Sequence, residues 1–280
     1  MNVLSLFDGM SCGQIALNRI GVKPSTYYAS ELDKYAIKVT QANYPDTVQL
    51  GDVTQWREWD IDWALIDLLI GGSPCQGFSF AGKQLAFDDP RSKLFFVYVD
   101  ILNHIKSVNP NIKFMLENVK MKKEYLAVIS EQLGVEPVFI NSANYGPCER
   151  PRYYWFNWQF APAKEENPES FLDNCVDLVQ MGEGWVKWWD KNADFQQKKK
   201  YSKLVGIGDK GITMTARQYA SWNGNFVLND GKFFKPGKKS LARLVGASDC
   251  YFSGVAQRQA ETLTGNGWTV DVVAHIFSQM

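Results

Sequence analysis

The chain is poor in the residues that build metal centres and disulfide frameworks. Among its 280 residues there are two histidines, His104 and His275, and five cysteines, Cys12, Cys75, Cys148, Cys175 and Cys250. No two cysteines are spaced as CxxC, so no metal site is expected, and a chain long enough to bury a good core has little use for a disulfide scaffold. The thiols are expected to be reduced, and a functional one to be a reactive group. Long apolar runs are missing too. The longest, Ala64–Ile70 and Leu94–Leu102, carry acidic residues and fall well short of the roughly 20 residues that span a bilayer. The opening MNVLSLFDG has no basic n-region, long h-region or cleavage site, so a cytoplasmic protein is expected. Net charge is also absent, with Lys and Arg totalling 30 against 30 for Asp and Glu. A basic excess is the usual footprint of a nucleic-acid partner, and the total shows none.

What is present is a globular composition, 45% hydrophobic and 21% charged, which excludes a disordered or collagen-like chain. Strand-like and helix-like segments alternate over residues 1–157. Asn2–Phe7, Tyr27–Glu31, Val48–Val53 and Leu65–Ile70 read as strands, with Ser11–Ile20 and Lys34–Ala42 as helices between them. Leu94–Lys106, Phe114–Leu116, Tyr125–Leu133, Val135–Asn141 and Tyr153–Trp158 continue the alternation. The pattern predicts an α/β fold with a doubly wound, mostly parallel sheet, in which ligands bind at the carboxyl ends of the strands. After a Pro-, Lys- and Glu-rich connector at Ala161–Pro168 the alternation is lost until about Ser240, and helical periodicity returns in Leu241–Val245, Gln257–Thr262 and Val270–Phe277. Three parts are expected: a first domain over 1–157, a small irregular lobe over 158–240, and a segment over 241–280 packing back on the first sheet.

The unusual sequence falls just after the strands. Phe7-Asp8-Gly9 with Gly13 marks a strand-to-helix turn where backbone can approach a ligand, although a tight turn alone explains it equally well. Glu31 and Asp52, after the second and third strands, have the chemistry to accept ribose hydroxyls and an adenine amine; a lone acid there is also a common helix cap. Together they favour a nucleoside-bearing cofactor, with a dinucleotide and S-adenosylmethionine equally open. Gly71-Gly72-Ser73-Pro74-Cys75-Gln76-Gly77-Phe78-Ser79 places a cysteine in a turn after a strand, a setting that favours a thiolate. Glu117-Asn118-Val119 brings a carboxyl to the same sheet edge. A thiolate beside a carboxylic acid is the pair needed to add to an electron-poor ring while protonating its nitrogen.

With these motifs in hand the chain resembles the C5-cytosine DNA methyltransferases. The ordered series is FDGMSCG, Ser30-Glu31, Gly51–Val53, GGSPCQGFS, FDDPRSKLFF at Phe87–Phe96, ENV, RPRYYW at Arg150–Trp155 and GNGWTVDVV at Gly265–Val273. FDG and ITMTAR look closest to the de novo (Dnmt3-like) branch, in a bare catalytic unit of bacterial or phage type. The resemblance implies a Rossmann-like fold dependent on S-adenosylmethionine, with Cys75 attacking C6 of a flipped cytosine and Glu117 at N3. Arg150 and Arg152 would act at the cytosine O2 and on the catalytic loop. Phe7, Gly9, Gly13, Glu31, Asp52, Asn266 and Trp268 would hold the methyl donor. Gln76, Ser79, Lys83, Arg91 and Asn118 would sit at the DNA and its catalytic loop. Cys148 stands where the family has a glutamine, and the ninth motif is a loose match in which only Arg243 stands out.

The lobe over 158–240 would read the target. Phe195–Ser240 holds ten Lys or Arg against two acids, so the neutral total conceals a basic lobe and an acidic remainder. Such lysines contact phosphates. Arg217, in Ile212–Arg217, is expected to read a guanine beside the target cytosine. The implied partner is double-stranded DNA, in restriction–modification or phage DNA modification, with a monomer expected. Two other readings are a catalytically silent DNA-binding homologue and an enzyme acting on RNA; PCQ and the basic lobe favour DNA.

Overall fold

The computed structural model describes residues 1–74, 93–163, 167–184, 187, 191, 202–220 and 223–280. A seven-stranded sheet has the order β3-β2-β1-β4-β5-β7-β6. Its strands are β1 (Asn2–Leu6), β2 (Thr26–Ser30), β3 (Val48–Gln49), β4 (Ile66–Gly71), β5 (Lys113–Val119), β6 (Val138–Asn141) and β7 (Pro151–Phe156). β1 pairs in parallel with β2 and β4, β2 with β3, and β4 with β5, whereas β7 runs antiparallel to β5. The α/β class and the mostly parallel, doubly wound sheet expected from the alternation are present. Strand order reverses direction between β1 and β4, which is where a doubly wound sheet opens a ligand crevice.

The crossover helices are α1 (Cys12–Arg19), α2 (Lys34–Asn43), α3 (Lys93–Val108) and α4 (Lys123–Leu133). Local chemistry ends them: Asp33 accepts from the amides of Tyr35 and Ala36 to start α2, and Gly134, at φ 73°, ends α4. α3 lays Phe95, Tyr98, Ile101, Leu102 and Ile105 on a core that includes Leu4, Leu69, Phe114, Leu116 and Trp155. Trp155 is fully buried and its Nε1 donates to Ser130 Oγ at 3.0 Å. The expected strand Val48–Val53 stops after two residues, because Gly51 turns to φ 76° and Asp52 caps a 3₁₀ turn over Val53–Glu58.

By internal contacts the chain falls into two units. The first comprises Met1–Ile140, Pro151–Ala161 and Ala274–Met280, and the second Asn141–Arg150 and Pro162–Val273. These bounds differ from those expected at 157 and 240, since residues 241–273 group with the second unit. That unit is not irregular. It carries a four-stranded sheet of order β8-β11-β10-β9, formed by β8 (Leu178–Gln180), β9 (Ser202–Leu204), β10 (Gly224–Asn229) and β11 (Lys232–Pro236). Its strands are short, and Asp230-Gly231, at φ 49° and 70°, makes the two-residue turn between β10 and β11. α5 (Lys238–Val245), α6 (Gln257–Asn266) and α7 (Val270–Phe277) follow. No helix among the described residues is long and apolar enough to cross a membrane.

Candidate active site

The turn after β1 is unusual in its backbone. Phe7, Gly9 and Ser11 all adopt left-handed conformations, at φ 57°, 59° and 62°. A non-glycine residue held there costs on the order of 1–3 kcal/mol, and such outliers collect at ligand sites. Glu31 ties this turn to the end of β2: Oε2 accepts from Gly9 N at 2.7 Å, and Oε1 from Leu32 N and Asp33 N at 2.7 and 2.8 Å. A carboxylate has about four lone-pair sites, so Glu31 keeps capacity for a ligand hydroxyl. Asp52 accepts from Thr54 N at 2.9 Å and so caps a turn with one oxygen. A Cβ on Gly13 would lie 2.8 Å from the Tyr27 hydroxyl and overlap Ile70, so this glycine makes room for core side chains.

Beneath the turn, the Tyr27 hydroxyl donates to Asp8 Oδ1 at 2.8 Å. Burial pushes the Asp8 carboxyl up to about 6, opposed by hydrogen bonds from Ser5, Tyr27 and Ser11, and the nearby charge of Glu31 adds to the rise. Burial raises the Tyr27 phenol as well, followed by the charge of Asp8.

Across the switch point, β4 ends against β1. A Cβ on Gly71 would stand 3.0 Å from the Leu6 carbonyl oxygen. The chain then runs through buried Ser73, which Asn118 holds: Nδ2 donates to Ser73 Oγ at 3.1 Å and to its carbonyl at 3.4 Å. Asn118, the penultimate residue of β5, therefore fixes the backbone two positions before Cys75. Cys75 itself, with Gln76, Ser79, Lys83 and Arg91, lies outside the described residues. Glu117 faces Arg152 on β7, with Arg152 Nε 2.8 Å from Glu117 Oε1 and both side chains nearly buried. The Nε–H direction makes this an ion pair without a well-aligned hydrogen bond; Arg152 Nη1 also donates to Pro151 O at 2.9 Å.

The second unit places the remaining expected residues. Arg150 is buried and its guanidinium spans two main-chain carbonyls, Nη1 to Met214 O at 3.0 Å and Nη2 to Gly265 O at 3.1 Å. Cys148 is also buried, and burial raises its thiol, with Cys175 adding to the rise. It is an inert packing group that fills space beside Gly211, where a Cβ would meet its Sγ at 3.0 Å. Asn266 is exposed at the end of α6, whereas Trp268 is buried. Arg217 is exposed. Arg243 pairs with Asp249 at 2.6 Å on the surface.

Several lysines of the basic stretch are committed internally. Lys210 Nζ donates to the carbonyls of Gly146, Asn167 and Glu169 at 3.0, 2.7 and 2.7 Å. Lys203 reaches Lys210 O at 2.8 Å and Asp209 at 3.6 Å. Lys235 is buried and donates to Gln218 O and to Asn223 O; burial lowers its ammonium to about 8. Net charge read from sequence therefore overstates what this unit offers a phosphate backbone. The inward position of Lys235 was readable: Asp230-Gly231 sets the hairpin register, and Lys235 shares a strand face with Phe233, two residues away.

A doubly wound sheet whose strained first turn, strand-end acid and Glu–Arg pair gather at the carboxyl ends of its strands has the architecture of the S-adenosylmethionine-dependent methyltransferases. The solved structure of the Entamoeba histolytica methyltransferase EhMeth shares the fold, with a TM-score of 0.79 at 18% identity over 99% of this chain and 96% of that one. The chain belongs to the C-5 cytosine-specific DNA methylase family, whose profile matches residues 1–169. Its relatives include the type II methyltransferase M1.ScrFI of Lactococcus lactis subsp. cremoris, 30% identical over 99% of this chain and 77% of the relative. The type II methyltransferase M.HhaI of Haemophilus parahaemolyticus is 28% identical over 99% of this chain and 93% of its own length. S-adenosylmethionine is the methyl donor of this class.

Proposed function

We propose that the chain methylates C5 of a cytosine flipped out of duplex DNA, through a covalent bond between Cys75 and C6. The observation that carries the reading is the Glu117–Arg152 pair, with Asn118 anchoring Ser73 beside the nucleophile loop. S-adenosylmethionine supplies an electrophilic methyl group. Cys75, as thiolate, adds to C6, and Glu117, protonated as the base displaces Arg152 from it, gives that proton to N3, so that C5 gains enamine character and takes the methyl group, releasing S-adenosylhomocysteine. Loss of the C5 proton to water then expels the Cys75 thiolate, and return of the N3 proton to Glu117 restores the ring. Arg152 orients Glu117 and, with the base in place, is positioned for the cytosine O2. Flipping costs a few kcal/mol of unstacking.

Phe7, Gly9, Glu31 and Asp52 form the donor side of the site in this reading, and Asn266 and Trp268 contribute to closing it. Gly13 and Arg150 act through packing and main-chain contacts. Gln76, Ser79, Lys83 and Arg91 are assigned to the DNA-facing loop. The target-reading role is assigned to 158–240, with 1–157 catalytic and 241–280 supporting it, and Arg217 reads a guanine beside the target. The enzyme works as a cytoplasmic monomer on host or phage DNA.

Incubating the protein with tritiated S-adenosylmethionine and duplex DNA tests this, with nucleoside analysis and bisulfite sequencing of the product. Label in 5-methylcytosine is expected. Label in adenine or N4-methylcytosine, or label confined to an RNA substrate, contradicts it.

A further inference from the structure

Resting on the proposed function, we propose that Tyr219 and Arg258 extend the DNA-contacting surface from the Arg217 segment onto α6, with Arg258 neutralising a backbone phosphate. Three exposed side chains carry the inference. Arg217 and Tyr219 lie on the turn that follows Met214, and Arg258 lies in the first turn of α6. The Arg258 guanidinium stacks over the Tyr219 ring, its central carbon 4.3 Å from the ring centroid. Among the described residues, neither arginine has a carboxylate within ion-pairing distance, and the first turn of α6 contains no acid. Two exposed guanidiniums without a carboxylate partner among the described residues leave positive charge on this surface, so it is complementary to a polyanion. A guanidinium held over a ring has lost rotamer freedom before any partner arrives, which lowers the entropic cost of a phosphate contact.

The backbone under these side chains is unusually well fixed. The Gln218 side chain donates to Glu261 O at 2.7 Å and Thr264 Oγ1 at 2.9 Å, both on α6. Lys235 donates to Gln218 O and to Asn223 O. Arg150 holds Met214 O and Gly265 O together, and a Cβ on Gly265 would overlap the Thr215–Ala216 peptide. The buried Arg150 guanidinium and the buried Gln218 amide thus join this segment to α6, so that Arg217, Tyr219 and Arg258 are presented on one well-fixed surface. Arg217 has the reach to read a base; Arg258, set on a ring away from the segment, has the chemistry of a sequence-independent contact.

The test is the salt dependence of duplex binding by the full chain, comparing wild type with Arg258→Ala, Arg258→Lys and Tyr219→Ala. Two duplexes serve as probes, one containing a methylated site mapped by bisulfite sequencing and one lacking it. Arg258→Ala is expected to weaken both alike, by roughly 3- to 10-fold at about 0.1 M salt, and to flatten the slope of log K against log salt by about one. Arg258→Lys should keep the slope, and Tyr219→Ala should lose part of the affinity without changing preference. An unchanged slope for a folded Arg258→Ala protein overturns the proposal. So does a loss confined to the duplex with the site, or one seen only with a structured RNA. Wild type that methylates duplex DNA while Arg258→Ala binds it normally defeats this inference alone; wild type that binds no duplex defeats the proposed function with it.

Discussion

Arg152 Nε stands 2.8 Å from Glu117 Oε1 across the antiparallel pair of β5 and β7. Arg152 sits opposite Val119, so Glu117 is its diagonal neighbour on the same sheet face. Sheet register, rather than a flexible loop, sets the distance between the carboxyl and the cation. The guanidinium compensates the carboxyl's charge where both are nearly buried; in the proposed reading an incoming base takes over as its partner.

Glu117→Gln and Arg152→Met should each lower the rate of methyl transfer by about 100-fold or more, the range of a lost general acid. The double variant should be little worse than Glu117→Gln alone if Arg152 acts through the carboxyl; a double-mutant cycle on single-turnover rates checks this. Additive losses would show that the two act independently. Arg152→Met should also cost stability on the order of 3 kcal/mol, because it strands a buried charge.

Asn118→Ala should slow covalent capture at Cys75 by roughly 10-fold while leaving donor affinity intact, since positioning errors near 1 Å carry losses of this order or more. Its hydrogen bonds go to Ser73, not to the donor side of the site. Equal loss of donor affinity, measured by calorimetry, would place the residue elsewhere in the mechanism.

Asp8 makes stability depend on pH in a stated direction. Its folded-state value near 6 lies above that of an unfolded aspartate, near 4. Below pH 6 the folded state takes up a proton that the unfolded state has not yet bound, so this group favours folding increasingly as pH falls towards 4. Above pH 6 the ionised carboxyl carries its burial penalty in full. Asp8→Asn should therefore raise Tm relative to wild type at pH 7.5, and the advantage should shrink by pH 4. A pH-independent difference in Tm contradicts the assignment.

Gly265→Ala tests the clamp on the Met214–Arg217 segment, proposed to read the target. The added methyl overlaps main chain, not the end of a movable side chain, so a loss on the order of 1–3 kcal/mol is expected, with weaker sequence preference in the protein that remains folded. If Arg217 reads a guanine as proposed, Arg217→Ala should relax preference there by roughly 5- to 150-fold, corresponding to about 1–3 kcal/mol of discrimination, without slowing turnover on saturating DNA.

Much of the first unit was legible because its strands are continuous apolar runs closed by unusual turns. Asn2–Phe7 and Leu65–Ile70 read as strands on hydrophobicity alone and sit within one residue of β1 and β4. Glu31 was readable as a strand-end acid, and it does join two strand ends. Arg150 was harder, because a sequence shows that a cation exists but not whether main-chain carbonyls claim it. The short strands of the second sheet carry too few residues for periodicity to register. Only the Asp230-Gly231 turn announces them, and its meaning depends on the flanking alternation of Asn225–Leu228 with Phe233 and Lys235.

The most direct measurement is covalent trapping on a duplex carrying 5-fluorocytosine at the mapped target, with S-adenosylmethionine present. The fluorine blocks the final elimination, so wild type should accumulate a denaturation-resistant protein–DNA complex whose cross-linked peptide contains Cys75, and Cys75→Ala should form none while still binding the duplex. A wild-type enzyme that methylates ordinary cytosine but leaves no adduct, or an adduct that maps to another residue, contradicts the account.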